Sequence, residues 1–281
     1  MSNSNWRNRP TSIERISTST DWVISIDENG TPSLDRIIAQ MISGEVPSMN
    51  DQIFVATACL MSLAEFQRVC TDILELKKSM WEDALFTYNG ELKRVCLHSR
   101  EIRRKEGPFE ESICNHDVLA SGISEIISAS AIELFASVIN KYEHVQRYSD
   151  PWHPYCLCMD FILERIVMRL GENDTCIVIL EARGKREDKY LLGHIKNLID
   201  NGNNILDSTM FKKIKGVYFN PKWSKEFACK RSFWSLEVAD LCGHPIYDGF
   251  VRNTANRSYR VVREKFYRYP RYNGYGLKRF P

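Results

Sequence analysis

The run Cys176-Ile-Val-Ile-Leu-Glu181 decides the fold reading. Five consecutive apolar residues, three of them β-branched, describe a strand buried on both faces, which is the mark of an inner strand in a sheet covered by helices. Apolar residues recur at helical spacing on either side of it, over 155–170 and 188–201. A strand at 214–219 and a helix at 232–241 follow, so this half of the chain alternates in the manner of parallel strands joined by crossovers.

The first half reads differently. Trp22-Val-Ile-Ser-Ile26 is a strand that runs into the turn Asp27-Glu28-Asn29-Gly30-Thr31-Pro32. Residues 33–50 suit a short helical excursion, and Gln52–Met61 suits a returning strand. A helical pattern covers Leu63–Tyr88, a helix is expected at 115–128 and a third strand at 131–139. Three strands without obligatory crossovers allow an antiparallel meander. The expectation is therefore a single α/β domain over residues 21–251, built on a mixed five-stranded sheet flanked by helices, with insertions. A polar arm (1–20) precedes it and a basic segment (252–281) follows.

With 281 residues, 43% hydrophobic and 26% charged, the chain is neither a disordered polymer nor a fibre. Nine cysteines, an odd number mostly set in apolar runs, read as free thiols of a reducing compartment. His153, Cys156 and Cys158 lack a second cysteine pair at ligand spacing, so zinc is not expected there. Met1 to Asp21 has no apolar core of a secretory signal, and no run approaches the length of a membrane span. A cytoplasmic protein without a membrane partner is expected.

Acids that close apolar runs are the chemical signal, because a buried carboxylate needs a cation or a proton to hold it. Asp27 and Glu28 end the first strand, Glu181 ends the fourth, and Glu237 and Asp240 share one side of the last helix. If the first and fourth strands are parallel neighbours, Asp27 and Glu181 end side by side. Such a set suits Mg²⁺ or Mn²⁺, and paired ions of this kind clamp the attacking and leaving oxygens of phosphodiester cleavage. Asp27, Glu28, Glu181, Glu237 and Asp240 are the candidate metal ligands. Capping of helices or pairing with arginines is the alternative for each acid alone.

Six spaced motifs carry a resemblance: I-D-E-N-G-T-P (26–32), L-H-S-R-E-I (97–102), I-L-E-A-R-G-K-R-E-D (179–188), F-N-P-K (219–222), L-E-V-A-D-L (236–241) and Y-G-L-K-R-F-P (275–281). Together they resemble the bacterial family called domain of unknown function 3800, of the ribonuclease H-like superfamily, over roughly residues 20–281. The resemblance implies a ribonuclease H-like fold with catalytic acids at Asp27, Glu181 and Asp240. It leaves the place of a further acid open between Glu101 and Glu164. Asn29 stands where that family usually has serine, and Glu237 where it usually has glutamine; neither change removes a carboxylate.

His98 and His244 lie near these acids in sequence and are candidates for proton transfer. Arg183, Lys185 and Arg186 follow Glu181, and Lys222 follows the fifth strand; each is a candidate phosphate contact or a solvated cation. The overall charge of +2 conceals an asymmetry. Residues 252–281 hold nine Lys/Arg against one acid, a charge of +8, which leaves −6 on the rest. Five tyrosines interleave with Arg260, Arg263, Lys265, Arg268 and Arg271, as in a surface that takes a flexible nucleic acid. The other reading is a segment that packs its tyrosines on the domain.

Three functions compete at this level. A metal-dependent nuclease acting on RNA or DNA leads. A catalytically inert module that binds nucleic acid or a protein encoded in the same operon, in phage defence or a mobile element, is the second. A phosphatase of small substrates is the third.

Overall fold

The computed structural model describes residues 4–281; Met1 to Asn3 of the expected arm lie outside the described residues. In chain order, β1 (Trp22–Asn29) leads through α1 (Asp35–Ile42) and α2 (Met49–Gln52) to β2 (Ile53–Ser62), whose residues are buried up to Met61. α3 (Leu63–Met80) starts on Ser62, whose hydroxyl accepts from the Glu65 N–H in the manner of a helix cap. A hairpin of β3 (Leu85–Tyr88) and β4 (Glu91–Arg94) precedes α4 (Ser99–Arg104) and α5 (His116–Ala129). β5 (Glu133–Asn140), α6 (Lys141–Arg147), α7 (Pro154–Arg169), β6 (Cys176–Glu181), α8 (Lys185–Asn201), α9 (Ser208–Phe211) and β7 (Ile214–Asn220) follow. α10 (Trp234–Arg252), α11 (Arg257–Arg263) and β8 (Leu277–Phe280) complete the chain.

The main sheet has six strands, in the order β7-β6-β1-β2-β5-β8. β1 is antiparallel to β2 and β2 to β5, while β6 and β7 run parallel to β1 and β8 runs parallel to β5. The first and fourth expected strands are thus parallel neighbours, with Ile26 opposite Leu180. α7 lies against β2 and β5 on one face, and α10 lies against β1 and β2 on the other.

Three expectations need correction, and one segment is found anchored. The sheet has six strands, not five, because the basic segment contributes β8. The pattern assigned to one helix as far as Tyr88 breaks at Trp81, and Asn89-Gly90, both at positive φ, turns the chain into the β3–β4 hairpin. The last helix continues past Leu241 to Arg252, through Gly243 and Pro245, which as sequence look like breakers. The described part of the arm is anchored: Trp6 and Ile13 are buried, and the Asn220 side chain bonds both the N–H and the C=O of Ile13.

Gly243 explains how closely α10 sits on the sheet. A Cβ there would lie 2.6 Å from Asn29 Oδ1 and 3.2 Å from Thr57 Oγ1. Only a bare backbone lets the helix approach the end of β1 and the middle of β2 so nearly, and Asp240 lies one turn before it.

Candidate carboxylate site

The pleat sorts the acids. Side chains alternate across a strand and paired residues share a face, so Ser25, Asp27 and Asn29 of β1 face one way while Ile24, Ile26 and Glu28 face the other. The β1–β6 register, Ile26 with Leu180, carries Glu181 to the Asp27 face. α10 covers that face and brings Asp240. Asp27, Glu181 and Asp240 line one small cavity of about 20 Å³ with Leu97, His98 and Lys222, enough for roughly one water-sized occupant.

Asp27 is 6% exposed. Burial, followed by the charges of Asp240, Glu28 and Glu181, raises its carboxyl well above the ordinary value of 3.8. No cation is paired with it among the described residues. Asp240 is held instead by neutral donors: the Ser99 N–H reaches one oxygen at 2.7 Å and the Ser99 hydroxyl the other at 2.7 Å. Sequence reasoning missed Ser99, whose partner lies 141 residues away.

Glu28 points to the opposite face. One of its oxygens lies 2.9 Å from Arg183 and the other accepts from the Tyr155 hydroxyl at 2.7 Å, so this expected ligand stands across the sheet from the cavity. Burial still outweighs these two partners and keeps its carboxyl above the ordinary range. Arg183, an expected phosphate contact, is thereby engaged. Lys185 and Arg186 are exposed on the first turn of α8.

Glu237 lines the cavity but its oxygens are committed. Lys77 Nζ approaches them at 2.6 and 2.8 Å, the Leu97 N–H donates at 2.7 Å, and Lys77 also donates to Ser232. Lys77 is 1% exposed. The pair fixes α3, α10 and the 95–98 strand-like segment together, and nothing in the sequence linked two residues 160 apart.

Of the two further acids, Glu101 reaches the rim: its carboxylate accepts from Lys222 at 2.9 Å. Burial works against the Lys222 ammonium, but its bond to Glu101 and the negative charges of Glu101 and Glu181 outweigh that and raise its pKa. Glu164 lies on α7, on the other side of the sheet, where the Asn203 amide donates to it at 2.6 Å. His98 lines the cavity and its buried Nδ1 has no partner. His244 sits one turn beyond Asp240; burial and the neighbouring Arg103 charge push its pKa down.

The basic C-terminal segment is folded onto the far edge. Val262, Phe266 and Leu277 are in the core, and Lys265 donates to the Ser128 and Ser130 carbonyls. Arg263 stacks over Tyr269, and Arg268 over Tyr267 and Tyr275. Arg260, Arg268 and Arg271 stay exposed, but β8 is three strands from β1, roughly 14 Å at ordinary strand spacing. A nearer cationic surface exists. An open groove of about 800 Å³, sharing Phe233 with the carboxylate cavity, is lined by Phe66, Trp234, Phe227, Arg94, Lys230 and Arg231.

As they stand, no three His, Cys, Asp or Glu side chains among the described residues are arranged to hold a metal ion. The donor chemistry nonetheless suits a hard cation: three carboxylates meet in a buried cavity, and the one cation lining it, Lys222, is already bonded to Glu101. Among the described residues no helix is long and apolar enough to cross a membrane. No family model, curated protein or solved structure matches this chain.

Proposed function

We propose that this chain is a metal-dependent phosphodiester hydrolase of nucleic acid, with a ribonuclease H-like arrangement of its site. The observation that carries the reading is the convergence of Asp27, Glu181 and Asp240, from two adjacent parallel strands and the closing helix, on one face and one cavity. The directions of the five strands β5-β2-β1-β6-β7, a meander followed by parallel crossovers, support it, as does the resemblance of six motifs to the domain of unknown function 3800 family.

Asp27, Glu181 and Asp240 would hold Mg²⁺ or Mn²⁺, and the bound ion would activate water and stabilise charge on the attacking and leaving oxygens. The rest is the chain's own work. Ser99 fixes the orientation of Asp240 with two hydrogen bonds. Lys222, held at the rim by Glu101, offers its ammonium to a phosphate oxygen. His98, with an unpartnered Nδ1 beside the acids, is placed to pass a proton to the leaving oxygen. The groove of aromatic rings and arginines favours a polymer over a mononucleotide, since rings stack bases and cations follow a backbone.

The test is cleavage of single-stranded RNA and DNA oligonucleotides in Mn²⁺. Asp27→Asn and Asp240→Asn are expected to lose about 10³-fold in rate, equivalent to about 4 kcal/mol of barrier. Full wild-type cleavage by either variant overturns the assignment. The inert binding module is the second reading, and the lack of a ready-made ion-holding set favours it. It predicts oligonucleotide binding that persists in chelator, with no cleavage in Mn²⁺.

A further inference from the structure

Across the sheet from the carboxylates, α7 and α8 bring together a second group of reactive side chains that the proposed hydrolysis does not use. Cys156 is the third residue of α7, and Asp160 stands one turn further along the same face. His194 of α8 lies against them, with its Nε2 2.6 Å from Asp160 Oδ1. The sulfur of Cys156 has His194, His153 and Tyr190 as its polar neighbours. The ring of His153 meets that of Tyr190 edge to face at 5.5 Å, and its buried Nδ1 has no hydrogen-bond partner.

The geometry points to a thiol–imidazole–carboxylate relay, Cys156–His194–Asp160, that makes Cys156 the nucleophilic cysteine of this chain and a modification site for soft electrophiles. Three features converge on it. Asp160 orients the His194 ring and stabilises its protonated form, as a carboxylate does for a catalytic histidine. The imidazolium and the first turn of α7 then both face the sulfur with positive charge, the surroundings that favour a thiolate. Access is narrow but present. Cys156 is 6% exposed, and the neighbouring Tyr190 is 58% exposed.

The neighbouring charges agree. Burial pushes the Cys156 thiol up, but the neighbouring imidazoles of His153 and His194, the His194 charge and the Tyr190 hydroxyl outweigh it and bring the thiol down to about 7. Burial pushes His194 down, and its bonds to Asp160 and Cys156 carry it up to about 10. Three other buried cysteines go the opposite way: burial lifts Cys158 and Cys176 to about 12, and holds Cys96 well above its ordinary value.

The reaction that reads this out is alkylation by iodoacetamide. His194 keeps the thiol proton, the thiolate attacks the methylene carbon, and the carbon–iodine bond breaks with iodide leaving. Native full-length protein is treated briefly across pH 5–10 and the modified cysteines are mapped by mass spectrometry. Cys156 is expected to be alkylated with a half-maximal rate near pH 7. In His194→Gln and in Asp160→Asn, the half-maximum moves up by about one pH unit or more. Thermal melting identifies which variant is folded, and either suffices. A Cys156 that stays unmodified while the partly exposed Cys229 is fully alkylated overturns the proposal, as does a profile unchanged in the folded variant.

Discussion

Asp27 and Glu28 are adjacent carboxylates at the end of one strand, both buried, yet the two faces of the sheet treat them oppositely. On the α7 side, Glu28 finds a guanidinium and a phenol and its valences are filled. On the α10 side, Asp27 finds two more carboxylates and no paired cation. The difference shows how a strand turns sequence neighbours into a paired acid and an unpaired one. Glu237 and Asp240 repeat it one helical turn apart: the first is neutralised by Lys77, and the second is held only by the neutral donors of Ser99.

The largest effect on stability is expected on the neutralised side of this contrast. Lys77→Met leaves Glu237 buried without its cation and should cost about 3–5 kcal/mol, read as a lower urea midpoint. Lys77→Met combined with Glu237→Leu should recover most of that loss, because an apolar pair of similar volume replaces a buried ion pair at little cost. A single variant no less stable than the double one would break the distinction between the two acids of α10.

A smaller effect of opposite sign is expected at Asp27. Its folded carboxyl binds a proton more tightly than the unfolded one, which titrates near 3.8. The stability it contributes is therefore full below that value and falls as pH rises through the folded pKa, by about 1.4 kcal/mol for each unit between the two. In chelator at pH 7, Asp27→Asn should be more stable than wild type, and the advantage should shrink as pH falls toward 4. A variant less stable than wild type at pH 7 would contradict the crowding of charge around Asp27.

The smallest effect is expected from the C-terminal segment. Arg268→Ala and Arg271→Ala remove exposed cations far from the cavity, whereas Arg94→Ala and Arg231→Ala remove two from the groove beside it. Anisotropy of a fluorescent single-stranded oligonucleotide should show the groove pair losing more affinity than the C-terminal pair. The reverse order would return the binding surface to the sheet edge.

Much of the fold was legible because its signals are local. The apolar runs of β1, β2, β5, β6 and β7 and the helical spacing of α3, α5, α7 and α8 are set by neighbours in sequence. Asn89-Gly90 is a local turn signal, but it stands just beyond the stretch, 63–88, whose apolar spacing suits a helix. β8 and the end of α10 were not legible, since Leu277 finds its partner Ala136 far back along the chain and Pro245 is tolerated only where the helix is held on the sheet. At the site, Asp27, Glu181 and Asp240 could be singled out by their place at the ends of apolar runs. Which acids are neutralised could not, because Lys77, Ser99 and Tyr155 reach them across 127 to 160 residues.

Calorimetric titration of Mn²⁺ into metal-free protein tests the central claim most directly. Wild type and Glu28→Gln are expected to bind the ion at millimolar concentration or below, and Asp27→Asn and Asp240→Asn to lose that binding. No binding by folded wild type, or equal binding by Asp27→Asn, would contradict the assignment of the α10-facing carboxylates as a metal site.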